Sequence, residues 1–396
     1  MILLVLALMG LLATVNGLHP TRATLLLVPS FFSAWLTVEL APQLLVLTVV
    51  GTGAFVALGA LDGVGWWGLA IAVIDALLLL RMIAQAQGAA AVADAAFAEW
   101  EDAGDPEPYT PSRLRRFFVP MAFNDPDVER LVDIPYAEGS RHRLDVYRRT
   151  DHPTGCPTLL QVHGGAWVIG DKKEQGRPLM LHLARKGWVC FAPNYRLSPK
   201  SAWPAHLYDV KQALAWVREH GAEYGADPGF VVVTGGSAGG HLAALMALTQ
   251  NQPEWQPGFE DADTSVQGCV PYYGVYDIAN DLSSKWGRQR DKRLFEKVVM
   301  KTKERAVYEA ASPIRQVSTD APPILVIHGR NDTLAPVEEA REFVRRLREV
   351  SAEPVIYLEL PGTQHAFDVF PSIRSDHVVR AVGRFCEQLR ARALKG

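Results

Sequence analysis

The stretch Val231-Val-Val-Thr-Gly-Gly-Ser-Ala-Gly-Gly-His-Leu242 decides how the rest of the chain is read. Four β-favouring residues run into Gly235-Gly236-Ser237-Ala238-Gly239, and a helix-forming run from His241 to Gln250 follows at once. The pattern predicts a strand, a sharp turn and a helix, with a serine at the apex of a G-x-S-x-G turn. Such a turn is strained and tightly packed, so glycines flank the serine where side chains have no room. A serine held there points its hydroxyl away from the sheet, and the helix start behind it offers backbone N–H groups. A glycine-rich strand-to-helix turn can also be no more than a tight turn, so the pentapeptide alone does not settle the chemistry.

Three further stretches join it. Leu159 to Trp167 reads as a strand ending in His163-Gly164-Gly165, with His163 lying 74 residues before Ser237. The strand Ile324 to His328 runs into a loop with Asp332, and the strand Val355 to Leu360 precedes a loop with His365. Oxyanion loop, serine, acid and histidine in that order is the order of the α/β-hydrolase fold. A serine hydroxyl is a poor nucleophile at neutral pH and needs an adjacent base. We therefore assign Ser237 as nucleophile, His365 as base and later acid, and Asp332 as the carboxylate that orients His365. Backbone N–H groups of Gly164, Gly165 and Ala238 are the expected oxyanion donors. His163 heads the H-G-G turn and is expected to brace it. His241 and His328 read as packing residues, and Asp209 and Asp277 as loop braces. Asp368 lies near His365 in sequence but lacks the strand-end position of Asp332. Trp167 and Tyr195 are candidate pocket walls, with core packing as the equal alternative.

With 396 residues there is material for a large catalytic domain and something smaller. A formal net charge of −3 argues against nucleic acid as the main partner. Cys156, Cys190, Cys269 and Cys386 show no metal-type spacing and read as free thiols. No metal or organic cofactor is expected.

Charge distribution divides the chain. The first lysine is Lys172, and between Met1 and Ala84 only Arg22, Glu39, Asp62, Asp75 and Arg81 are charged. Residues 1–84 are expected to form a transmembrane helical region of three or four segments. Met1 to Gly17 reads as a retained membrane helix, with a signal peptide as alternative. Ala23 to Thr37 is short for a span, whereas Pro42 to Leu61 and Gly65 to Ile83 are long enough, with Trp66 and Trp67 at an interfacial position. Asp75 within the last span suggests hydrogen bonding between helices. Arg81, Arg113, Arg115 and Arg116 follow that span, which places the catalytic domain on the cytoplasmic side of a cell membrane. Residues 85–126 read as a helical extension and linker, and residues 127–396 as the catalytic domain.

Within that domain strands alternate with helices, predicting an α/β fold with a mostly parallel sheet flanked by helices and ligands at the strands' carboxyl ends. The alternation breaks at about 281–317, read as a helical cap insertion. Between Lys285 and Arg305 this stretch carries nine basic residues and three acidic ones, suited either to solvent or to anionic lipid headgroups.

These motifs together resemble the hormone-sensitive-lipase-like serine esterases of the α/β-hydrolase fold, over roughly residues 127–394. Gly170-Asp-Lys, Asn194-Tyr-Arg-Leu-Ser-Pro199 and Tyr273-Gly-Val-Tyr-Asp277 look most like the actinobacterial membrane-associated esterase/lipase branch. Two departures stand out: Ala166 where the family often has a third glycine, and Gly236 where it often has aspartate. The resemblance implies a membrane-anchored serine carboxylic-ester hydrolase acting on acyl esters, lipids among the candidates, through an acyl-enzyme. Acyl transfer by the same triad, amidase action on small formamides, and an inactive receptor on the same fold are the alternatives. Chain-length preference and oligomeric state are not read from these residues.

Overall fold

The computed structural model describes residues 1–98, 100, 123, 125–284 and 291–395. Among them, short apolar runs form eight strands of one sheet. They are β1 (Val128–Pro135), β2 (Arg143–Arg149), β3 (Cys156–Val162), β4 (Val189–Pro193), β5 (Ala226–Gly236), β6 (Gly268–Tyr272), β7 (Ile324–Gly329) and β8 (Val355–Leu360). The spatial order is β1-β2-β4-β3-β5-β6-β7-β8. The β1–β2 hairpin and the β2–β4 pair are antiparallel, and every later pair is parallel. β3, β4, β6 and β7 are buried along their whole length, which is why they read as continuous apolar runs rather than alternating ones.

Because successive strand residues face opposite sides, each strand feeds two cores. Leu160, Val162, Val231 and Val233 pack with the helices Ala205–His220, Ala238–Leu248 and Val337–Val350. Leu159, Val232, Val270 and Leu325 pack with Arg177–Arg185 and Ile373–Ala393. The second core has an additional member. Ala89, Ala93 and Phe97 of the helix Ala89–Phe97 are buried in it, so the predicted helical extension is a structural part of the sheet's cover. The linker expected after it lies mostly outside the described residues, as do residues 285–290 of the expected cap. The rest of that insertion is a π-helical turn Asp291–Val299 and a short helix Arg305–Ala310. Phe295 and Val299 are buried in the first core, and Arg305 pairs with Asp281 and Glu309, which neutralises one charge of the expected basic face.

Four helices precede this body: α1 (Ile2–Leu18), α2 (Leu27–Glu39), α3 (Ala41–Ala57) and α4 (Gly65–Gln87). α1 packs along α4, where Gly68 brings the two backbones together: a Cβ there would lie 2.8 Å from the Leu4 nitrogen. Asp75 is buried between helices and accepts a hydrogen bond from Thr48 of α3, as the helix–helix reading expects. The run Gly65–Phe97 is the one helix long and apolar enough by itself to cross a membrane among the described residues. α2 and α3 meet that test only as a pair bent by 83°. α3 stops at Ala57, short of the span expected to Leu61.

Candidate active site

Ser237 stands between β5 and the helix Ala238–Leu248 with φ 58° and ψ −120°. A non-glycine residue adopts that backbone only where its surroundings hold it. Here its N–H donates to the Tyr272 carbonyl at 3.0 Å, which ties the turn to β6. A Cβ at Gly239 would lie 2.1 Å from the Val162 carbonyl, so the elbow helix crosses directly over the end of β3. That crossing sets the H-G-G loop beside Ser237. Ala238 is the first residue of the helix, where a backbone N–H has no intrahelical acceptor.

His365 and Asp332 come together from loops after β8 and β7. The His365 Nδ1–H donates to Asp332 Oδ2 at 2.7 Å. The other Asp332 oxygen accepts the N–H groups of Leu334 and Ala335, each at 2.8 Å. Burial works to raise the Asp332 carboxyl, but the adjacent His365 and His328 rings and the Ala335 N–H outweigh it, holding it below the usual range. Gln364 Oε1 accepts from the backbone N–H of both His365 and Thr333 at 2.8 Å, which fastens the two loops to each other. His328 donates from Nε2 to the Ala335 carbonyl and His241 to the Ala311 carbonyl, both buried, as packing residues would. Asp277 accepts the N–H groups of Asp281 and Leu282, and Asp209 binds Arg196, so both brace loops.

The oxyanion loop is held from behind. His163 donates from Nδ1 to the Gly164 carbonyl at 2.8 Å and stacks on Tyr195 at 4.4 Å, and the Tyr195 hydroxyl donates to the His163 carbonyl at 2.9 Å. Burial lowers the His163 pKa to about 4, so the brace is neutral. Two expectations need correction. The Gly164 N–H donates to Gln175 Oε1 at 2.7 Å and is therefore turned to that side chain, leaving Gly165 and Ala238 of the expected donors. Gly165 has φ +118°, and a Cβ there would sit 2.0 Å from the Ile169 carbonyl, so no other residue fits that corner. Tyr195 and Trp167 are core residues rather than pocket walls: Tyr195 is fully buried, and Trp167 packs edge-on against His241 and Phe295.

One group escaped the motif reading. The Tyr273 ring lies 4.5 Å from the His365 ring, and a Cβ at Gly236 would be 2.6 Å from its hydroxyl. Gly236, where aspartate is common, thus vacates the space that Tyr273 fills. The Tyr273 hydroxyl donates to Asp368 Oδ1, a carboxyl that burial raises against the pull of that same hydroxyl. Asp368 is therefore committed to Tyr273 and not to His365. The run Tyr273-Gly-Val-Tyr-Asp277 was the available signal, but no spacing rule ties it to His365. Among the described residues no group of three His, Cys, Asp or Glu could hold a metal ion.

With this geometry in place, the chain can be set beside known proteins. The BD-FAE family model matches residues 144–347. The chain belongs to the BD-FAE family. It is thereby one of the hormone-sensitive-lipase-like α/β-hydrolases, and the mostly parallel, helix-flanked sheet is that fold. The BD-FAE match runs from β2 to the helix after β7 and so includes Ser237 and Asp332. LipM of Mycobacterium tuberculosis is 52% identical over 265 residues, 65% of this chain and 61% of LipM. The esterase LipQ of the same organism is 47% identical over 259 residues, 64% of this chain and 61% of LipQ. The chain thus spans less than two thirds of the length of these relatives. A thermophilic esterase of Thermogutta terrifontis with butyrate bound superposes with a TM-score of 0.55 at 25% identity, over 66% of this chain and 93% of that one.

Proposed function

We propose that this protein is a membrane-anchored serine carboxylic-ester hydrolase. The observation that carries the reading is the 2.7 Å bond from His365 Nδ1 to Asp332 Oδ2, on loops that meet the Ser237 elbow through Tyr273. In the proposed reaction His365 takes the proton of the Ser237 hydroxyl as its oxygen attacks the ester carbonyl carbon. The carbonyl oxygen becomes an oxyanion facing the N–H groups of Gly165 and Ala238, and each such donor is worth about 2.7–4 kcal/mol in the transition state. His365 then returns the proton to the leaving alcohol, and an acyl-Ser237 ester remains. Water attacks that ester by the same route in reverse, releasing the acid. Asp332 keeps its negative charge throughout, fixing the Nδ1–H tautomer and stabilising the imidazolium.

The substrate class proposed is acyl esters, with lipids favoured by the anchor. The α4 part of that long apolar run, Gly65–Gln87, supports a membrane crossing, and the outer apolar side chains Leu47, Val50, Leu58, Trp66, Trp67 and Leu77 are all more than half exposed. α1 and the bent pair of α2 and α3 would enter the bilayer beside it, making the protein multi-pass at the cell membrane. Arg81 and the arginines at 113, 115 and 116 favour a cytoplasmic catalytic side.

The test is fluorophosphonate labelling of membranes bearing the full chain or its Ser237→Ala variant. Labelling of the wild type alone, in the membrane fraction, is the expected outcome. Equal labelling of both would assign the nucleophile elsewhere, and recovery of the folded wild type in the soluble fraction would remove the anchor. Product analysis with an added alcohol separates hydrolysis from acyl transfer.

A further inference from the structure

Arg22 and Glu39 are the only Asp, Glu, Lys or Arg residues among the first 61. Isolated charges in so apolar a region are costly, so where they go is informative. Both go to the loops that carry Asp332 and His365. The Arg22 guanidinium donates from Nη2 to the Asp332 carbonyl at 2.6 Å, and the neighbouring Asn331 donates from Nδ2 to the Leu18 carbonyl at 2.9 Å. Glu39 is buried against Arg374 at 2.5 Å and accepts the Ser372 hydroxyl at 2.5 Å, at the far end of the His365 loop. Between those ends Trp35 donates its indole N–H to the Ala366 carbonyl at 2.8 Å and stacks on Phe370 at 4.7 Å. Ala366 immediately follows His365 and has φ +58°, a strained backbone for alanine that needs outside support. Phe31, one helical turn before Trp35, sets its ring edge-on 6.3 Å from the His365 ring.

We infer that α2 and the segment before it are a working part of the catalytic centre, in which Arg22 and Trp35 are positioning residues for Asp332 and His365. The inference rests on the triad reading above. Neither side chain touches substrate or the reacting atoms. Arg22 grips the backbone of the Asp332 loop and Trp35 that of the His365 loop; the two side chains must keep their 2.7 Å bond while His365 points its other ring nitrogen at Ser237. The apolar helices are then more than an anchor, because they supply two of the holds on the acid–base pair.

The experiment uses the full chain in detergent. Trp35→Phe keeps an aromatic ring beside Phe370 and deletes the indole N–H with the five-membered ring that carries it. Arg22→Gln alters an exposed side chain and leaves the core intact. Turnover of a p-nitrophenyl ester is measured per competent site, counted by fluorophosphonate titration, together with the pH profile of kcat/KM. Each variant is expected to lose about tenfold in kcat with KM within about twofold, because a loop displaced by a fraction of an ångström misaligns the proton transfer. The acid limb of the profile is expected to move, and Arg22→Lys to recover part of the loss. Wild-type kcat per site and an unmoved profile in both variants would overturn the inference, whatever the melting temperature does. Failure of the triad reading shows separately, as full turnover and labelling by Ser237→Ala and His365→Ala.

Discussion

The eight-stranded body and the four leading helices are both rich in apolar residues, yet they spend them in opposite directions. In the body, Leu159, Val162, Val232, Leu325 and Ile327 have no exposed surface, and the sheet is sealed on both faces. In the leading helices Leu12 is 68% exposed and Leu47 67% exposed, beyond what a water-soluble surface normally shows at such density. Charged and polar groups reverse the pattern. The body carries most of its charges outward, and those it buries have partners, as Asp332 has His365 and Lys211 has the Thr249 carbonyl. The helices carry almost none, and Arg22 and Glu39 point at the body's loops. Hydrophobicity alone therefore does not separate a core from the bilayer-facing surface proposed for the helices. The destination of the few charges does.

If the chemistry resides in the body and only its placement in the helices, the largest effects must come from the body. Ser237→Ala and His365→Ala are each expected to lower ester turnover by about 10⁴–10⁶-fold, and Asp332→Asn by about 10⁴-fold. Turnover of purified variants, after titration of competent sites, is the measurement. A helix substitution that rivals these losses would break the division of labour.

A second effect, on stability, also belongs to the body. His163 and His206 are buried and His182 is half-buried, and desolvation lowers each to about 4 from an ordinary 6.5. Between those values the unfolded chain binds protons that the folded chain refuses, so stability is full above about pH 6.5 and falls as pH drops towards 4. Each histidine contributes up to about 3 kcal/mol over that window. Melting temperatures between pH 7 and pH 4.5 should drop steeply, and a flat profile would show that these rings accept protons in place.

What was legible in the sequence follows the same division. Val355–Leu360 was bounded to the residue, since a clean period of 2 is a local property. β5 begins at Ala226, ahead of the apolar run that starts at Val231, because Ala226 pairs with Cys156 across a register shift that the intervening Pro228-Gly229 hides. The last helix begins at Ile373, capped by Ser372 accepting from the Ser375 N–H, a signal that serine offers in the sequence. The loops of Ser237, Asp332 and His365 were legible because each follows its own strand. The contacts of Arg22 and Trp35 were not, since they join residues 310 and 331 positions apart and no local pattern encodes them.

Tyr273 sharpens the contrast at intermediate size. Tyr273→Phe removes the hydroxyl that serves Asp368 and leaves a buried carboxyl without that donor. The expected cost is about 1–3 kcal/mol in unfolding free energy, read from urea melts. The ring that touches His365 is retained, so turnover should change far less than with the triad variants. A loss of turnover approaching theirs would place the hydroxyl in the chemistry.

The smallest effect is expected among the helices, and it tests what a buried carboxylate means there. Asp145 in the body is wholly buried and accepts from Arg130, from Lys172 and from the Asp133 N–H. Asp75 in α4 is almost as buried, but its partner is the Thr48 hydroxyl at 3.1 Å, and its second oxygen has no hydrogen-bond partner among the described residues. A carboxylate with a charged retinue fixes a structure, whereas one with a single neutral donor only ties two helices. Hydrogen bonds between membrane helices average about 0.6 kcal/mol, with a maximum of about 1.7. Thr48→Val, which keeps the shape and deletes the donor, should therefore cost about 0.6 kcal/mol in detergent unfolding and leave ester turnover unchanged. A change in turnover would mean that Asp75 reaches the catalytic loops through α4. The helices would then hold the site along a second route besides α2.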